Sequence, residues 1–246
     1  MTTLAYQLYC SRNWPLDETL KMLSGIGYAH VEGYGNPMSD VPALERGLKD
    51  NGLTMLSTHY ALDALESDPD KAVETARTLG VGKVFVPHIG PDDRPNDAKG
   101  WQAFGKRLAE AGKPIIDARL IYGWHNHDFE LADLDGSDRP LDFIANASDD
   151  MMLELDLGWV ARAGHDPKAW IGKYSGRISA AHIKDLAPEG TTDEDGWADV
   201  GHGTLDWMPI VAALNAAGVD HLVAEHDNPS DHDRFARRTF ETVSNF

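Results

Sequence analysis

Short apolar runs alternate with helix-like patterns eight times along this chain, strand first each time, and few folds accept that order. The strand-like runs cover residues 4–9, 29–33, 53–59, 83–88, 121–125, 151–156, 178–183 and 219–225. Helical patterns follow them, over about 17–24, 41–51 and 69–79, up to about 118, from about 141, from 166–167, and over 231–243. Their punctuation has a physical basis. Gly25 and Gly27 stop the first helix and Gly52 the second, while Asp68-Pro69 and Asp166-Pro167 each pair an N-cap with a proline at the first helical position. Eight β-then-α units with short connections predict an α/β chain folded as a closed parallel (β/α)8 TIM barrel. The 246 residues suit one such domain, 1–246, and no shift in composition marks a boundary. A doubly wound open sheet is the alternative. It would carry a Gly-rich dinucleotide turn near its start, and the sequence has none. The longest irregular piece, residues 186–204, is rich in Gly and Asp, carries Trp197, and belongs over the barrel mouth, where long loops are usually functional.

In such a barrel the C-terminal strand ends share one face of the molecule. Side chains alternate along a strand, so Glu154 and Asp156 share a side, and so do Ala180, His182 and Lys184, with Ile183 and Asp185 opposite. The fifth strand ends in His125-Asn126-His127, with both imidazoles on one side, and the eighth ends in Glu225. Four successive strands thus present nitrogen and oxygen donors at one end. A divalent metal suits that set. Carboxylate and imidazole without thiolate favour Mn²⁺, Mg²⁺, Co²⁺ or Zn²⁺. Glu154 sits one layer deeper and needs a partner to be buried at all, so it either orients His125 or His127 or acts as a base. Lys184 either stabilises a developing oxyanion or pairs with an acid such as Asp206. Glu32, His59 and His88 end strands two, three and four and are expected to line the pocket. His202, in a Gly-His-Gly turn, can reach it, and Trp14, Trp124 and Trp159 suit stacking on a ring. His165, His221, His226 and His232 read as ordinary.

Charge narrows the partners. A net charge of −18 and a pI near 4.8 argue against a phosphate-backbone binder and against an anionic membrane surface. The single Cys10 excludes an internal disulfide and a Cys-based zinc site. The first residues lack a basic segment leading into an apolar run, and no stretch has membrane-spanning length, so a cytoplasmic protein is expected.

Three motifs carry a family resemblance: His182-Ile183-Lys184-Asp185; Asp156-Leu157-Gly158-Trp159 followed by Ala163-Gly164-His165-Asp166-Pro167; and Val200-Gly201-His202-Gly203-Thr204-Leu205-Asp206-Trp207. Together they resemble the xylose isomerase-like barrels of the sugar phosphate isomerase/epimerase superfamily, which include tagatose 3-epimerase-like enzymes, inosose dehydratase and inosose isomerase. The resemblance implies a divalent metal, often Mn²⁺, on a Glu from strand five, an Asp from six, a His from seven and a Glu from eight. By motif the last three are Asp156, His182 and Glu225. Many relatives read Glu-Asn-His at strand five, and here His125 falls on the ligand position, with His127 the other candidate. The Trp124–Glu130 run is similar to a subgroup that includes keto-sugar lyases and C-glycoside-cleaving relatives.

The implied activity is a metal-dependent isomerase or epimerase of a small keto sugar or cyclitol. It would remove a proton α to a carbonyl through a metal-stabilised enediolate, with Glu225, His127 or Glu154 as base and Lys184 at the oxyanion. The alternative within catalysis is a lyase or dehydratase acting on a 3-keto-glycoside or inosose. From other classes come an abasic-site endonuclease, which the charge of −18 disfavours, and a catalytically silent sugar-binding barrel. Homo-oligomers are compatible with all of these.

Overall fold

The computed structural model describes residues 2–134, 136 and 138–246. Eight parallel strands close a barrel: Thr3–Gln7, His30–Gly33, Thr54–His59, Lys83–Val86, Ile121–His125, Met151–Asp156, Ile178–Ile183 and His221–Ala224. Each strand lies beside its neighbours in the sequence, and the first pairs with the last. This is the expected (β/α)8 barrel. Strand four stops at Val86 because Pro87 has no N–H to extend the ladder. Strand one gives way at Leu8 to a 3₁₀ turn, whose entry is capped by the Gln7 side chain accepting from Tyr9 N at 3.0 Å.

The helices start where the sequence offers an acceptor. Asp40, Asp68, Asp97 and Asp231 each accept a backbone N–H in the first turn of Val41–Asp50, Pro69–Leu79, Ala98–Asp117 and His232–Val243. The first helix, Leu16–Ile26, runs through Gly25 and is stopped by Gly27 alone, at φ 120°. Two short helices were not apparent from periodicity, Leu62–Ser67 and Leu157–Arg162. Within the long segment after strand seven, Asp185–Leu186 pairs antiparallel with Trp197–Ala198.

The core lies between the outer barrel face and the helices. Tyr6, Val31, Met55, Val84, Tyr122, Leu155, Ile183 and Leu222 are fully or almost fully buried there. Trp124 belongs to this outer layer. It packs edge-to-face on Phe104 at 5.4 Å and donates its indole N–H to Glu130 at 2.9 Å, so it turns away from the barrel axis. Most inward-facing positions are small or polar, Phe85 and Val223 being apolar exceptions, and register lines them up. His125 pairs with Glu154, Asp156 with His182, and Gln7 and Ser57 both with Glu32. A register shift between Leu153 and Glu154 sets Glu154 beside Ala180, whose methyl leaves room for a carboxylate inside the barrel. No helix among the described residues is long and apolar enough to cross a membrane.

Candidate metal centre

Four strand ends converge as their register requires. Donor atoms of His125, Asp156, His182 and Glu225 all lie within 4.8 Å of one another, and all four residues are buried. His182 Nδ1 is 3.0 Å from Glu225 and 4.0 Å from Asp156, and His125 Nε2 is 4.0 Å from the same Asp156 oxygen. Ligands about 2.1 Å from a shared ion lie roughly 3–4 Å apart, so the spacing accommodates one ion.

Beneath this quartet a second polar layer aims the rings. Glu32 accepts from His182 Nε2 at 2.8 Å, from Gln7 at 2.7 Å and from the Ser57 hydroxyl. Glu154 accepts from His59 at 2.6 Å and lies 3.3 Å from His125 Nδ1. His182 Nε2 thus carries its proton toward Glu32, which turns Nδ1 up toward Asp156 and Glu225. Such an outer partner is what a metal-bound imidazole needs. A second grouping, His59, His125, Glu154 and His182, is equally compact; its Glu154 Oε2 accepts from His59, and Oε1 is buried with no hydrogen-bond partner. The upper quartet keeps an unsatisfied acceptor. Asp156 Oδ1 accepts from Trp159 N at 2.8 Å, while Oδ2 is buried with no hydrogen-bond partner.

Charge completes the fit. Four buried carboxylates, Glu32, Glu154, Asp156 and Glu225, face a single buried ammonium, Lys184. Burying that excess is costly unless another cation joins it. Without an ion, protons are drawn in. Burial lowers His59 and His182, but the surrounding carboxylates outweigh it, taking His59 to about 10 and His182 well above its usual range. Burial also pushes Asp156 up to about 7, against the pull of Lys184. Glu225 goes the other way: Lys184 and His182 overcome its burial and hold it well below the carboxylate range. A divalent ion among Asp156, Glu225 and the two imidazoles would replace those protons, so the residues present fit a metal.

Lys184 stands at the rim of the quartet. Its Nζ donates to Glu225 at 3.2 Å and Asp227 at 2.6 Å, not to the exposed Asp206, and lies 5.0 Å and 4.3 Å from the ring centres of Trp159 and Trp197. Two carboxylates raise its pKa despite full burial, so the ammonium is permanent. Gly158 makes room for it, since a Cβ there would come within 2.6 Å of the Lys184 Cβ. His127 lies outside the quartet, against the rings of His88, Phe129 and Trp159. Burial and Lys184 lower its pKa to about 3, so it is neutral.

The chain matches the model of the Xylose isomerase-like TIM barrel family over residues 20–242. It belongs to that family. Among curated relatives, it is 24% identical to the inosose dehydratase of Lacticaseibacillus casei over 181 residues, 65% of this chain and 57% of that enzyme. The match thus spans little more than half of the relative's length. A sugar phosphate isomerase/epimerase from Parabacteroides distasonis superposes with a TM-score of 0.84 at 17% identity, over 98% of this chain and 93% of the other. The IOLI protein, solved with a binding zinc atom, gives 0.80 at 16%, over 100% and 97%.

The remaining candidates fall into three places. Glu32, His59 and Glu154 sit in the inner layer below the quartet, with Glu32 and Glu154 fully buried. His88 is exposed at the rim, its Nε2 3.0 Å from Arg94, and Trp159 lies beside Lys184 and His127. Trp14 and His202 are not brought to the quartet. Trp14 stacks on His232 at 4.1 Å, and His202 is exposed near Arg234 and Arg238.

Sequence reading missed four supporting residues. Asp227 is two positions beyond Glu225, and extending the strand alternation by one step would have found it. Asn126 ties strand five to strand six, accepting from Asp156 N at 2.9 Å and donating to Asp156 O at 3.3 Å. Glu130, pushed up to about 8 by burial, accepts from Trp124 and from His127 N. Asp185 accepts from four backbone N–H groups and the Trp207 indole, tying down residues 186–207. The partners of Glu130 are local, three and six residues back, whereas those of Asp185 lie mostly 16 to 22 residues ahead and no local pattern announces them.

Proposed function

We propose that residues 1–246 form one domain that enolises a small keto sugar or cyclitol at a divalent-metal centre. The observation that carries this is the buried quartet His125, Asp156, His182 and Glu225 with the Lys184 ammonium fixed beside it. A divalent ion held by those four residues, Mn²⁺ first and Mg²⁺, Co²⁺ or Zn²⁺ as alternatives, supplies Lewis acidity to a carbonyl oxygen and its neighbouring hydroxyl. The chain's own residues do the rest. Glu225 or the fifth-strand imidazole of His127 takes the proton α to the carbonyl. Lys184, held protonated by Glu225 and Asp227, donates to the oxygen on which negative charge grows. Glu154, engaged by His59 and enclosed beneath the quartet, orients imidazoles and does not act as the base.

Two outcomes share this first step. Returning the proton at the neighbouring carbon or the other face makes an isomerase or epimerase, the outcome expected from family breadth. Expelling a substituent β to the carbonyl makes a dehydratase or lyase. Elimination has specific support here. Strand five presents the imidazole of His125 where a carboxylate would complete a two-base pair with Glu225, and the Lys184 ammonium can stabilise the charge on a departing oxygen by hydrogen bonding. The likeness to an inosose dehydratase agrees.

Keto-hexoses, inososes and 3-keto-glycosides incubated with Mn²⁺-loaded protein in deuterated water test the proposal. Deuterium is expected at the α-carbon, with loss of water or of an aglycone marking elimination. No exchange across the panel in metal-loaded protein overturns it in favour of a binding barrel.

A further inference from the structure

The quartet and the Lys184 ammonium are closed off from solvent. Asp156, His182 and Lys184 are fully buried, and His125 and Glu225 nearly so. Two Lys184 N–H groups go to Glu225 and Asp227, and the ammonium lies 4.3 Å from the centre of the Trp197 ring. Trp197 comes from the long segment after strand seven and meets Trp159 edge-on at 4.7 Å. The exposed Arg162 lies over the same Trp197 ring at 4.1 Å, which leaves that ring as the wall between the ammonium and the surface.

The segment that carries Trp197 is fixed at both ends and lightly fastened between them. Asp185 holds the ends, accepting from Leu186 N on one side and from Gly201 N, Gly203 N and Leu205 N on the other. Residues 187–198 have fewer ties. Trp197–Ala198 pairs with Asp185–Leu186, Ala187 N donates to Gly196 O at 3.0 Å, and Arg162 donates to Asp195 O. Glu194 accepts from Ser230 N at 2.7 Å and from Arg234 at 2.9 Å. The closed position is costly to hold. Glu194, Asp195 and Gly196 follow one another with φ of 52°, 60° and 74°, a left-handed run that only the glycine adopts freely. The Trp197 indole N–H is buried and finds no acceptor among the described residues, whereas water would supply one. A cover that is strained in place and fastened by a few surface contacts opens more readily than the barrel beneath it.

We infer that residues 187–198 form a lid, which lifts Trp197 off Lys184 to admit ion and substrate and then closes over them. Arg162 and Glu194 are its latches. The purpose of the lid rests on the enolising reading above, but its motion does not. Closure excludes water from the growing enolate and so strengthens its contact with Lys184.

Hydroxyl-radical footprinting of the metal-stripped full chain, read by peptide mass spectrometry, tests the motion without ion or turnover. Trp197 and Trp101 are equally buried, each 2% exposed, but Trp101 sits in the fixed core against Phe104. An opening lid makes Trp197 oxidise at least about tenfold faster than Trp101. Arg162→Ala removes one latch at an exposed position. It should raise the Trp197 rate by a further factor of roughly three to ten, what one hydrogen bond contributes, and leave Trp101 unchanged. Loss of Mn²⁺ from loaded protein to excess chelator should quicken by the same factor, from the same starting metal content. Trp197 oxidation as slow as that of Trp101 in both proteins, or an ion released from Arg162→Ala at the parent rate, overturns the inference. A parent that takes up no ion fails the enolising reading instead, and the footprint alone then decides the lid.

Discussion

Asp185→Asn gives the sharpest test of how the mouth is assembled. Asp185 Oδ1 accepts from Leu186 N at 2.8 Å and Leu205 N at 3.1 Å. Its Oδ2 accepts from Gly201 N at 2.9 Å, Gly203 N at 3.3 Å and the Trp207 indole at 2.8 Å. The residue is fully buried, and a Cβ on Gly203 would collide with its carboxylate, so nothing else can enter. An asparagine keeps one oxygen and turns an NH₂ toward the other set. Whichever way it flips, at least two donors lose their acceptor. At about 1–3 kcal/mol for each orphaned buried donor, the loss is about 2–6 kcal/mol. That is a large part of an ordinary domain stability of about 5–15 kcal/mol. Urea unfolding should show the loss as a lower midpoint, and hydrogen exchange should speed up across residues 186–207. Asp206→Asn, at an exposed neighbour with no capping hydrogen bond, should change stability by less than about 0.5 kcal/mol. An Asp185→Asn protein with unchanged midpoint and unchanged exchange would refute the assignment of this carboxylate as the anchor of the loop.

Other expectations concern the residues around the quartet. Lys184→Gln should lower α-proton exchange by about 10²-fold or more, as loss of one oxyanion donor does, while metal content is retained. Above about pH 8, where the Glu130 carboxylate is ionised, Glu130→Gln should destabilise the chain by about 1–3 kcal/mol, because one of the donors Trp124 Nε1 and His127 N then faces an NH₂, as urea unfolding would show. Glu194 fastens the loop by bonding Arg234 at 2.9 Å and Ser230 N at 2.7 Å, and these partners outweigh its burial to hold it at about 2. Its folded pKa lies below the unfolded value near 4.3, so its stabilisation is full above about pH 4.3 and fades as pH falls toward 2. The difference in melting temperature between the parent and Glu194→Gln should therefore be largest at pH 7 and shrink between pH 5 and 3.

The barrel was legible because its signal is repeated. Eight strand-then-helix units, most with an Asp cap or a Gly stop, leave one closed topology, and the bounds of strands six and seven follow directly from their apolar runs. The convergence of His125, Asp156, His182 and Glu225 was legible for a related reason: strand alternation fixes which side chains share a face, and barrel polarity fixes which end they share. What the sequence withheld is three-dimensional. Nothing local distinguishes the outward Trp124 from the inward His125 beside it until the axis is known. The two layers, one of carboxylates that aim the rings and one of converging donors, differ by a single pleat. Whether Glu154 bonds His59 or a fifth-strand imidazole depends on a register shift at Leu153. The anchors Asp185 and Arg234 act on segments far along the chain, so no periodicity could reveal them.

The central claim is one divalent ion held by four strand ends, and its stoichiometry is directly measurable. Chelator-stripped protein exposed to Mn²⁺ or Zn²⁺ and then desalted should retain one ion per chain by elemental analysis. His182→Ala and Asp156→Asn should each lose it while keeping the circular dichroism of the folded barrel. A stripped and reloaded parent that holds no ion, or an ion that stays in both variants, would contradict the account.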